Sequence, residues 1–98
     1  MFAIPNMTKP NYVPSRARAP YEFGQMFRAE RASIGMTQQQ VADSVKCRRQ
    51  TIGDLEEGKN VGLMTVFLAL SAIGKTMVIH NNDFDLEELR LFLEAEAE

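Results

Sequence analysis

The sequence predicts an all-α protein: a bundle of four to five short helices, followed by a short strand and a last acidic helix. Three observations lead there. Apolar residues recur at helical spacing in successive segments of the chain. Gly35, Gly58 and Gly74 stand just past three of those segments, where a backbone able to reach positive φ ends a helix. Pro20 and Thr37 stand where helices begin, the first needing no N–H and the second offering a capping hydroxyl.

In chain order, residues 1–19 hold three of the 4 prolines and show no helical periodicity. They read as an extended arm, made basic by Lys9, Arg16 and Arg18. Such an arm either tracks DNA phosphates or the minor groove, or is a plain flexible leader. A folded unit over 20–74 follows. Its first helix starts at Pro20, marks one face with Phe23, Met26, Phe27 and Ile34, and stops at Gly35.

Thr37 opens a second helix, and Gln40 stands where it completes a capping box. Val41, Ala42 and Val45 give this helix its apolar face. A tight turn at Lys46 and Cys47 leads to a third helix, with Ile52 and Leu55 inward and Arg48, Arg49, Gln50, Thr51 and Asp54 outward. Those outward side-chain types read base edges and phosphates when a helix end enters the major groove.

Leu63, Val66, Phe67, Leu70 and Ile73 predict a fourth helix with one apolar stripe. Met64 and Leu68 either widen that stripe or belong to a dimer interface. The run KTMVIH, residues 75–80, is β-branched and too short for a helix. A lone strand needs a partner, so Thr76, Met77, Val78 and Ile79 are expected to pair with a second copy across a two-fold axis. Asp85 is placed to cap a last helix with an apolar face of Leu86, Leu89, Phe92 and Leu93 and an acidic end. Residues 75–98 thus read as a dimerisation strand and an acidic helix.

The net charge of −2 conceals a polarity. Through Gly62 there are nine Lys/Arg against six Asp/Glu, and from Leu63 onward two against seven. The basic part contains the second and third helices, which fits nucleic acid at one end and another task at the other. One Cys excludes an internal disulfide framework, and a single His beside it does not make a zinc site. No phosphate loop, dinucleotide fingerprint or nucleophile elbow occurs, so neither an enzyme nor a cofactor is expected. The length of 98 residues allows one domain, and no apolar run approaches a membrane span. A cytoplasmic, nucleoid-associated protein is expected.

The motifs G-M-T-Q-Q-Q-V-A, R-R-Q-T-I-G-D-L-E-E-G-K and L-x-T-V-F-x-A-L-x-A-I-G together resemble the helix-turn-helix of the Cro/lambda-repressor-like family, the XRE type. The resemblance covers about residues 23–74 and implies a lambda-repressor-like bundle. It implies that Gln38 holds a phosphate and braces a base-reading side chain. Arg49 and Gln50 match base-contacting positions, with guanine and adenine as their respective preferences. Asp54 matches another, where it accepts from a cytosine amino group or instead bridges to a neighbouring arginine. Lys46, Arg48, Thr51, Lys59 and Asn60 are expected to hold phosphates. The resemblance also pairs Arg31 with Glu56, and places a small residue, here Cys47, as a plug in the turn. An oxidation-sensing Cys47 is the alternative, suggested by its basic neighbours. The chain departs from the family pattern at Lys46, where glycine is usual, and at Arg48, where a Ser/Thr cap is usual.

The fourth helix and the strand after it are similar to those of HipB-type antitoxin regulators. That likeness implies a homodimeric repressor of a palindromic operator, partnered by a HipA-like kinase toxin. A stand-alone phage-type repressor without a toxin, and a protein-interaction module whose main task is toxin binding, remain the other readings.

Overall fold

A computed structural model describes residues 13–82 and 85–97. They form five helices: α1 (Pro20–Ser33), α2 (Gln38–Val45), α3 (Arg49–Glu56), α4 (Leu63–Ala72) and α5 (Leu86–Ala97). Most of the expected arm lies outside the described residues.

The helix starts follow local chemistry. Thr37 Oγ1 accepts from the Gln40 N–H at 3.0 Å, and Gln40 Oε1 accepts from the Thr37 N–H at 2.8 Å, closing the expected capping box. Asp85 and Glu88 make the same reciprocal pair at α5, at 2.8 and 3.2 Å. Arg48 precedes α3 without a side-chain cap.

The ends of α1 to α4 share one device, in which two successive N–H groups turn back onto the last carbonyls. After α3, Lys59 N–H donates to Asp54 O at 2.9 Å and Gly58 N–H to Leu55 O at 3.2 Å. After α2, Cys47 N–H donates to Ala42 O at 3.0 Å and Lys46 N–H to Asp43 O at 3.4 Å. Gly35, Gly58 and Gly74 supply the left-handed residue in three cases, with φ of 76, 81 and 76°. Lys46 supplies it in the fourth, with φ 61° and ψ 46°. Lysine there carries the steric penalty of a Cβ.

The core is Phe27, Val41, Ala42, Ile52, Leu55, Ala69, Leu70 and Ile73, with Phe23, Met36, Cys47, Val61, Val66 and Ala72 packed around it. It joins α1 to α3 and sets α2 against both α3 and α4. Gly24 allows the closest approach. A Cβ there would lie 2.4 Å from the Glu56 carbonyl oxygen and 2.7 Å from that of Leu55, so only glycine lets α1 rest on the end of α3.

Three expectations are corrected. Residues 75–80, expected as a strand, belong to no helix or strand. A strand needs a neighbour for its backbone groups, and the described residues of a single chain provide none. Ile34, expected on the inner face of α1, is half exposed because it lies past the end of the helix. Leu63 and Phe67, expected in the core stripe of α4, are instead exposed together with Met64 and Leu68. The core side of α4 is Ala69, Leu70 and Ile73, with Val66 half-buried.

α5 is exposed at Leu86, Leu91 and Leu93, while Leu89 and Phe92 are half-buried. The Arg18 guanidinium lies 5.8 Å from the Phe92 ring centroid, within cation–π range. The same arginine pairs with Glu22 at 3.6 Å, and its N–H donates to Glu22 Oε1 at 2.9 Å. Arg18 thus ties the chain ahead of α1 to both α1 and α5.

Candidate nucleic-acid interface

The exposed start of α3, the turn before it and the start of α2 form the candidate interface. The Schellman-type turn at Lys46 sets the angle between α2 and α3, and Ile52 and Leu55 hold α3 against the core. That leaves Arg48, Arg49 and Gln50 exposed, while Thr51 and Asp54 are half-buried. Lys46, Lys59 and Asn60 are exposed on the flanking turns. Among the described residues, Lys46 and Arg48 make no ion pair. The uncapped N–H groups at the start of α3 add a partial positive charge beside them.

The side chains are joined in two sets. In the first, Arg49 Nη1 donates to Gln38 Oε1 at 2.8 Å, and Gln38 Nε2 donates to Glu56 Oε1 at 2.9 Å. Glu56, only 7% exposed, also accepts from Arg31 Nε at 2.6 Å and from Arg31 Nη2 at 3.1 Å. The remaining Arg31 terminal nitrogen, Nη1, donates to the Met36 carbonyl at 2.8 Å. The expected Arg31–Glu56 pair is therefore present and nearly dry. Its connection onward to Gln38 was not legible from spacing, because the positions come from three different helices.

In the second set, Gln50 Nε2 donates to Asp54 Oδ1 at 3.0 Å along one turn of α3. The bridge from Asp54 to a neighbouring arginine, expected as one alternative, is not the contact formed; Gln50 takes it. Lys59 pairs with Glu57 at 3.0 Å. That hydrogen bond, then the charges of Glu57 and Asp54, raise the lysine pKa, so a phosphate reached by Lys59 competes with Glu57. Cys47 is half-buried beside the core, and burial pushes its thiol pKa up rather than down. A raised thiol pKa leaves little thiolate, which favours the plug over the oxidation sensor.

The geometry yields one prediction at the turn. Lys46→Gly removes a Cβ from a left-handed position, which stabilises by about 1–2 kcal/mol, against about 0.5–1 kcal/mol of extra chain entropy. Chemical denaturation should show a gain of about 0.5–1 kcal/mol. A loss of stability would mean that the lysine stem contributes packing that outweighs the strain.

The fold and this interface define a DNA-binding regulator of the helix-turn-helix class. The helix-turn-helix family model matches residues 27–79, more than half of the chain, and the protein belongs to that family, of the XRE type. Among solved structures, the fold is similar to that of a HipB–O4 20mer complex, with 22% identity, TM-score 0.64, and 69% of this chain and 97% of that one covered. It is also similar to a chain of a HipA–HipB–O2–O3 complex, with 21% identity, TM-score 0.65, and coverage of 71% and 100%. A structure described as MDT protein gives 22% identity and TM-score 0.64 over 69% of this chain and 97% of that one. At these identities the likeness is one of fold. No curated protein sequence matches the chain. No helix among the described residues is long and apolar enough to cross a membrane.

Proposed function

We propose that the protein is a homodimeric, sequence-specific repressor that reads a palindromic operator with α3, and that it is the antitoxin of a HipBA-like pair. The observation that carries the DNA reading is the exposed start of α3, where Arg49 is held in place from α2 beside Lys46 and Arg48, which make no ion pair among the described residues. Arg49 and Gln50 read bases; Lys46, Arg48, Thr51, Lys59 and Asn60 set register on phosphates; and Asp54 orients Gln50.

The dimer rests on the exposed apolar surface. Leu63, Met64, Phe67 and Leu68 on α4 are each at least 45% exposed, and Met77, Val78 and Ile79 follow at 43, 67 and 97%. So much apolar area on one small domain needs a cover, and a second copy provides one. The toxin partnership is supported by the fold shared with HipB in its complex with HipA, and by the acidic charge of α5.

Gel shifts on duplexes selected by the wild-type protein from a random library test this. Arg49→Ala with Gln50→Ala should reduce discrimination against single-base variants at least about tenfold. Lys46→Ala should weaken all sequences alike and flatten the salt dependence. Intact sequence preference in the double variant removes the assignment to α3, and sedimentation at monomer mass removes the dimer. Failure of the product of an adjacent kinase-like gene to co-purify would remove the antitoxin reading.

A further inference from the structure

We infer that Glu56, a buried residue that faces away from solvent, is a positioning residue for base readout: it fixes which end of the Gln38 amide meets Arg49. The inference rests on the DNA-reading role of α3 proposed above.

A glutamine side chain offers a donor end and an acceptor end, and either can point outward. Glu56 removes that choice. Its carboxylate accepts only, and it is held by Arg31 through Nε at 2.6 Å and Nη2 at 3.1 Å. Gln38 reaches the same carboxylate at 2.9 Å, and only its NH2 end can do so without placing two acceptors face to face. The Gln38 carbonyl oxygen is therefore turned toward α3, where it accepts from Arg49 Nη1 at 2.8 Å.

Arg49 is thus held by one of its five donors, which leaves others of its planar fork for a base edge. An exposed arginine without that hold would sample many rotamers and lose their entropy on binding. A flipped Gln38 amide would present N–H groups to a guanidinium and push it away. The ion pair between α1 and α3 therefore does two tasks. It joins the helices, and it aims the arginine on the DNA-facing surface, two hydrogen-bonded steps away. The second amide N–H of Gln38 is not needed for either contact and remains able to meet a phosphate.

The relay makes a prediction that a purely structural ion pair does not. Glu56→Gln offers an amide in place of the carboxylate, and Gln38→Met removes the link while leaving the Arg31–Glu56 pair intact. Each is expected to cut discrimination at the base read by Arg49, from about 5- to 150-fold in the wild type to within about threefold of Arg49→Ala. Adding either change to Arg49→Ala should cost nothing more in that ratio. Exchanging the two groups, Gln38→Glu with Glu56→Gln, rebuilds the step from residue 56 to Arg49 at the cost of stability, because Arg31 Nη2 loses the oxygen it shares with Gln38: residue 56 donates, residue 38 accepts, and Arg49 again meets an acceptor. Discrimination should recover in that double variant to within a few-fold of wild type.

The readout is the ratio of affinities for the selected duplex and its single-base variant, taken on protein shown to be folded by its thermal transition. Lost stability alone lowers both affinities and leaves the ratio in place. Wild-type discrimination in folded Gln38→Met, or an exchange variant no better than Glu56→Gln alone, overturns the relay. If the wild-type protein shows no sequence preference, the DNA reading itself falls and the relay with it. If Arg49→Ala leaves preference intact, DNA reading stands and the relay through Arg49 does not.

Discussion

Replacing Arg31 with alanine is expected to lower the unfolding free energy by about 3–5 kcal/mol, because a buried carboxylate loses its counter-charge. Glu56 is 7% exposed and receives two of its three hydrogen bonds from Arg31; the third, from Gln38, is neutral. The Met36 carbonyl loses its Arg31 donor as well. In a domain of this size the transition temperature should fall by more than about 10 °C. Arg31→Lys should recover only part of the loss, since an ammonium cannot present the two parallel donors of the guanidinium. A thermal shift of a degree or two for the alanine variant would mean that water reaches Glu56, and the ion pair would count as a surface one.

A second large effect is expected at Gly24, with a sign opposite to helix propensity. In an open helix, glycine to alanine gains about 1 kcal/mol. Here the added methyl carbon would sit 2.4 Å from the Glu56 carbonyl oxygen and 2.7 Å from that of Leu55. Both are backbone atoms, so no side chain can swing aside and α1 must lift from α3. Gly24→Ala should therefore destabilise by about 3 kcal/mol, toward the upper end of overpacking costs. Urea unfolding decides it; a stabilised variant would show that the two helices separate without penalty.

Much of the frame is legible in the sequence because its signals are local. Thr37 with Gln40, the glycines at 35, 58 and 74, and the cap at Asp85 each act on backbone groups a few residues away. What failed was longer in range. α4, LMTVFLALSA, carries no charge, so its apolar pattern has little contrast. Leu63 and Phe67 fit the expected stripe as readily as Leu70 and Ile73, and Ala69 does not stand out in it. Periodicity says that a face is apolar, not which surface covers it. Gly24 gave only the weak signal of a glycine inside a helix, and its meaning depends on where α3 ends. At the site, the residue types and their turns were readable, and so was the Arg31–Glu56 pair by family likeness. A brace from Gln38 to a base-reading side chain was implied by the same likeness, but its anchorage on Glu56 was not, since an amide orientation depends on partners from three helices.

The tie at Gly24 and Glu56 has a mechanical consequence. Close backbone approach at Gly24, with an ion pair beside it, limits how far α1 can slide over the end of α3. In the DNA reading proposed above, the part that meets the groove is then a stiff body, and accommodation in a complex falls to the nucleic acid. In the proposed dimer, two such heads at a fixed separation would favour operators whose untouched central base pairs twist and bend at little cost. Sequence would then be selected by its elasticity at positions no side chain reaches.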